Sequence, residues 1–117
     1  MSDIKIFHNP RCKKSRETLK LVEENVSKDH IEIVKYLETP PSEAELKSIL
    51  SMLGISPNEL VRKGEKAWKE EFKGKDLSDE ELIKVMVKNP KLIERPIVIA
   101  HGKAVLGRPP ENVLVLL

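Results

Sequence analysis

The chain has 117 residues, 21 basic and 19 acidic side chains, a formal net charge of +2 and a single cysteine. That near-balance excludes a protein that coats nucleic acid or an anionic membrane through its overall field. No apolar run approaches the ~20 residues that span a bilayer, and one cysteine cannot close an intramolecular disulfide. Hydrophobic residues make up 39 % and charged ones 34 %, with one Trp, one Tyr and two Phe, so an aliphatic core in one compact domain is expected. Met1-Ser2-Asp3 leads into a strand without a signal-peptide pattern, and a cytoplasmic protein with a reduced thiol is the expectation.

Ile4 to Phe7 reads as a strand, closed by the turn-forming His8-Asn9-Pro10. Cys12, Ser15, Leu19, Val22 and Val26 then repeat at helical spacing, so the cysteine opens the stripe that the aliphatics carry into the core. Ile31 to Tyr36 is rich in β-branched residues and predicts a second strand, giving a β-α-β unit that favours parallel pairing.

Pro40-Pro41-Ser42 introduces a helical insertion at about 42–90. Ser42 with Glu45 has capping-box spacing, Leu46, Ile49, Leu50 and Leu53 form one face, and Gly54 stops the helix. Ser56-Pro57-Asn58-Glu59 starts a short helix, residues 63–77 are polar and irregular, and Ser78 with Glu81 starts a third helix carrying Leu82, Ile83, Met86 and Val87. Trp68 is expected to cover the insertion's small core. After Arg95-Pro96, Ile97–Ala100 and Lys103–Leu106 flank His101-Gly102 as a hairpin, and Pro109-Pro110 precedes a final helix, Glu111 to Leu117. The order β-α-β, helical insertion, β-β-α predicts an α/β three-layer sandwich with a mixed four-stranded sheet, of thioredoxin-like type.

A lone cysteine is usually a small buried hydrophobe. Cys12 differs, because a helix N-terminus and the nearby Arg11, Lys13, Lys14 and Arg16 favour thiolate, and oxidised Cys12 would need an external thiol. In this order of elements Cys12 lies near the start of the strand after Arg95-Pro96, and Pro96 is a candidate cis proline. Three scattered histidines and one cysteine give no ligand cluster, so no metal site is expected.

His8-Asn9-Pro10-x-Cys12-x-x-Ser15-Arg16, Pro40-Pro41-Ser42, Leu60-x-Arg62-Lys63, Asn89-Pro90-x-Leu92-Ile93-x-Arg95-Pro96-Ile97-Val98 and Gly107-Arg108-Pro109 together resemble the glutaredoxin-coupled arsenate reductases, over nearly the whole chain. The resemblance implies that Cys12 is the nucleophile and that Arg62, Arg95 and Arg108 bind the oxyanion. Three guanidinium forks suit a multiply charged tetrahedral anion better than ammonium groups do. His8, if protonated near the sulfur, and Ser15, as a hydrogen-bond donor, are candidates for thiolate support. The implied course is a Cys12–arsenate adduct, displacement by reduced glutathione as co-substrate, release of arsenite and regeneration of the thiol by glutaredoxin. No tightly bound cofactor, no nucleic-acid or membrane partner and a monomer are expected.

Two other readings compete. One is a non-enzymatic redox regulator that binds RNA polymerase; relatives of that kind use a Cys-x-x-Cys pair, whereas this chain has Cys12-Lys13-Lys14-Ser15. The other is a one-cysteine glutathione-dependent thiol transferase, against which the helical middle and the arginine set argue.

Overall fold

The computed structural model describes residues 4–117; the Met1-Ser2-Asp3 lead-in lies outside the described residues. The chain forms two compact units, one made of residues up to Thr39 together with Arg95–Leu117, the other of Pro40–Glu94.

The first unit holds a four-stranded sheet in the order β2-β1-β3-β4, with β1 Ile4–Phe7, β2 Ile31–Val34, β3 Ile97–Ala100 and β4 Lys103–Leu106. β1 runs parallel to β2 and antiparallel to β3, so Phe7 at the end of β1 is registered with Val34 on one side and Ile97 on the other. The mixed sheet is the one expected. Helix α1, Lys13–Asn25, returns the chain from β1 to β2.

Alternation in β1 sends Ile4 and Ile6 into a buried cluster with Val22 of α1, Val98 and Ala100 of β3, and Val113 and Leu116. Each fully buried aliphatic of this kind contributes about 1.5–3 kcal/mol. His101 (φ 55°) and Gly102 (φ 73°) both adopt the left-handed conformation that a two-residue hairpin turn demands.

Two boundaries differ from expectation. β2 ends at Val34 because Lys35 turns the chain, its carbonyl accepting the N–H groups of Glu38 and Thr39 at 2.9 Å each. Tyr36 is buried in that turn rather than in a strand. The final segment, Pro110–Leu116, is a 3₁₀ helix, whose three-residue repeat puts Val113 and Leu116 on the same buried side.

The second unit contains α2 Glu43–Leu53, α3 Pro57–Leu60, α4 Lys66–Glu71 and α5 Asp79–Lys88. Ser42 Oγ accepts the Glu45 N–H at 3.1 Å, and Ser78 and Glu81 cap each other reciprocally. Gly54 ends α2 at φ 70°. Sequence reading expects three helices here; α4 is the fourth, a six-residue helix too short for a periodic signature, centred on the buried Trp68, whose ring centroid lies 5.6 Å from that of Phe72.

Candidate active site

The C-terminal end of β1 builds the site. His8 extends the β1–β2 ladder by donating its N–H to the Val34 carbonyl at 2.8 Å, after which the chain folds sharply: Asn9 O accepts the Cys12 N–H at 3.0 Å and Asn9 Oδ1 accepts the Arg11 N–H at 3.0 Å. Arg16 Nη1 ties the loop to α1 through the Pro10 carbonyl at 3.0 Å. Cys12 is the N-cap of α1, extended in backbone (φ −96°, ψ 123°) and half-buried. Its carbonyl accepts the first helical bond, from Arg16, while its side chain caps nothing, so the thiol stands at the end of the helix to which anions are drawn.

His8, at the end of β1, and Ser15, in the first turn of α1, are both buried, and His8 Nδ1 lies 2.7 Å from Ser15 Oγ, which also accepts the Asn9 N–H at 2.9 Å. Burial pushes the His8 pKa below its ordinary 6.5, and the positive charges of Lys35 and Arg16 push it further the same way. This runs against the expectation of a protonated His8 beside the sulfur: burial and the two cations disfavour the imidazolium, and the ring's hydrogen bond is to Ser15. If Nδ1 carries the ring proton, Ser15 receives two N–H donors and its own hydroxyl proton is left for a third acceptor.

The arginines are placed by the other side of the sheet. The Arg95–Pro96 peptide is cis, as is Arg108–Pro109, which sequence reading does not anticipate. The Pro96 carbonyl accepts the Gly107 N–H at 2.9 Å, so Arg95 and Arg108 each sit one residue beyond a shared backbone bond. Gly107 is buried tightly enough that a Cβ there would fall 2.6 Å from Thr18 Oγ1 and 2.8 Å from Pro96 Cγ. The Thr18 hydroxyl lies 2.8 Å from the Lys14 carbonyl and 3.1 Å from the Gly107 carbonyl, bonding α1 to the arginine-bearing segment. Among the described residues the buried Nε of Arg95 has no hydrogen-bond partner; Arg108 is exposed.

Arg62 belongs to the second unit, where it is held rather than left open. Its Nη1 meets Glu65 Oε1 at 2.9 Å and its Nε meets Glu94 Oε1 at 3.1 Å. The backbone prepares this pairing: Val61 and Ile93 form an antiparallel bridge, with Arg62 N–H donating to Leu92 O at 2.6 Å and Glu94 N–H to Leu60 O at 2.9 Å. The first unit thus carries Cys12, His8, Ser15, Arg95 and Arg108, and the second carries Arg62. Thr18, Glu65 and Glu94 escape sequence reading; Thr18, three residues past Ser15, was the most accessible of them, as a polar residue bordering the apolar stripe. Among the described residues no three His, Cys, Asp or Glu side chains converge as a metal site, and no helix is long and apolar enough to cross a membrane.

A cysteine capping the helix after the first strand, and an arginine and proline just ahead of the third, are thus carried by a mixed sheet of the thioredoxin-like class. The sequence profile of the ArsC family matches residues 7–116, and the chain belongs to that family. It is 55 % identical to the uncharacterized protein YfgD of Escherichia coli strain K12 over 95 % of this chain and 93 % of that one. It is 45 % identical to the arsenate reductase of Neisseria meningitidis serogroup A over the full length of both. The solved arsenate reductase from Vibrio cholerae superposes with a TM-score of 0.89 at 45 % identity, covering 97 % of each chain.

Proposed function

We propose that this protein reduces arsenate to arsenite with glutathione and glutaredoxin. The observation that carries the reading is the Cys12 thiol at the head of α1 together with the buried, unpartnered Nε–H of Arg95, a donor suited to an oxyanion oxygen. The names of the relatives support the substrate.

In the first step Cys12 Sγ attacks arsenic, an S–As bond forms, and one arsenate oxygen leaves as water after taking up two protons, the thiol's among them. Arg95 and Arg108, with Arg62 as the third candidate, balance the negative charge that repels an incoming thiolate. In the second step the glutathione sulfur attacks Cys12 Sγ. An S–S bond forms, the S–As electron pair passes to arsenic, As(V) becomes As(III), and arsenite departs with the glutathione thiol proton on oxygen. Glutaredoxin's thiolate then attacks the glutathione sulfur of the mixed disulfide, and Cys12 leaves as thiolate. The lone cysteine fits this course, since nothing within the chain can resolve the disulfide.

The test is arsenite production from arsenate with glutathione and glutaredoxin, wild type against Cys12→Ser. Production that depends on both thiol partners and is lost in the variant supports the reading. Equal product from the two proteins overturns it.

A further inference from the structure

The thiol that attacks Cys12 needs its own place. β1 has two neighbours, and at its C-terminal end they present different chemistry: β3 begins there, after Arg95 and Pro96, while β2 ends there, at Val34. The β2 side opens into a cavity of about 280 Å³ lined by Asn9, Pro10, Arg11, Lys35, Leu37 and Glu38. This is near the lower end of the ~300–1,000 Å³ usual for small-ligand sites. Cys12 follows directly on the cavity wall, one residue after Arg11.

The wall has an unusual charge set. Among the described residues Arg11, Lys35 and Glu38 form no ion pair, in a chain where Lys13, Lys14, Lys47, Arg62 and Lys66 all do. Two open cations, one open carboxylate and the exposed apolar side chain of Leu37 (42 % accessible) surround one hollow.

We propose that this cavity binds glutathione, the thiol tripeptide of the function proposed above, on which this inference rests. Glutathione carries two carboxylates and one ammonium group, the complement of Arg11, Lys35 and Glu38. The Arg11 fork suits one carboxylate bidentately and Lys35 the other as a point charge, while Leu37 covers the aliphatic backbone of the tripeptide. Entry from the β2 side leaves the β3 side, with Arg95 and Arg108, to the oxyanion. The two reactants therefore reach Cys12 from opposite flanks of β1, and glutathione need not displace the anion to reach the sulfur.

The experiment is an NMR titration of ¹⁵N-labelled Cys12→Ser protein with reduced glutathione, a variant in which no disulfide forms. Saturable amide shifts at Asn9, Arg11, Lys35, Leu37 and Glu38, weakened at least tenfold in Arg11→Glu/Lys35→Glu, support the proposal. Circular dichroism verifies that these exposed substitutions leave the fold intact. Shifts confined to Ile97, Gly107 and Arg108, or the same cavity shifts from inorganic phosphate alone, overturn it, as does an absence of shifts. Binding here without arsenate turnover by the wild type removes the proposed function and leaves the cavity assignment; turnover with glutathione seated at β3 does the reverse.

Discussion

The Gly107 N–H donates to the Pro96 carbonyl at 2.9 Å, and this one bond sets Arg95 and Arg108 at matching positions on either side of it. Thr18 secures the arrangement from α1, and no room remains at Gly107 for a side chain.

Gly107→Ala therefore forces Thr18 or Pro96 aside. The expected cost is about 1–3 kcal/mol, as for overpacking elsewhere in cores, measured by urea denaturation. With Arg108 displaced, the KM for arsenate should rise more than kcat falls. A variant as stable and as active as wild type would show that the tight fit is inconsequential.

Thr18→Val removes the hydroxyl but keeps the branched shape, leaving the buried Gly107 carbonyl without its donor, at a cost of about 1–3 kcal/mol. Thr18→Ser keeps the hydroxyl and should recover the arsenate KM even though it loses a methyl group. Equal defects in the two variants would assign Thr18 a packing role alone.

His8 gives stability a sign with respect to pH. Its folded pKa lies below the ordinary 6.5, so as pH falls past that value the unfolded chain takes up a proton that the native chain declines. Unfolding free energy should drop as pH descends from 6.5 toward the folded pKa and stop responding to His8 below it. His8→Gln should flatten that part of the curve; an unchanged slope would place the titration elsewhere.

Ser15→Ala leaves His8 Nδ1 and the Asn9 N–H both short of a partner. A loss of about 1–3 kcal/mol is expected from the unsatisfied groups, together with reduced arsenate turnover as the loop before Cys12 loosens. Thermal unfolding and kcat measured on the same preparation check both at once.

Arg62 is partly exposed and shared between two carboxylates, so its removal should cost at most ~1 kcal/mol of stability. If it also meets the oxyanion, Glu94→Gln, which keeps an acceptor while removing a charge, should lower the arsenate KM. An unaltered KM in both Arg62→Ala and Glu94→Gln would confine Arg62 to the second unit's own ion pairs.

Patterns with a local cause were readable in the sequence. Ser42, Gly54 and Ser78 mark helix ends because capping is settled within four residues, and Ile97–Leu106 marks a hairpin because His101-Gly102 suits a tight turn. The early end of β2 at Lys35, the six-residue α4 and the 3₁₀ form of Pro110–Leu116 depend on packing partners distant in sequence. At the site, motif positions pointed to Cys12, Arg95 and Arg108. The lowered pKa of His8 did not show, because it follows from burial and from Lys35, 27 positions onward in the chain. The two carboxylates on Arg62 were hidden for a similar reason, since the bridge from Val61 to Ile93 alone brings Glu94 to it.

β1 sits in the middle of its sheet, yet its two neighbours leave the ribosome at very different times. β2 follows within a few dozen residues, whereas β3 is separated from β1 by the whole of Pro40–Glu94. A growing chain can pair β1 with β2 early, and must keep the other edge of β1 open until Pro40–Glu94 has been made. Cys12 is thus made together with β1 and β2, and Arg95 and Arg108 only after the whole of Pro40–Glu94, so the two parts of the candidate site are synthesised well apart in time.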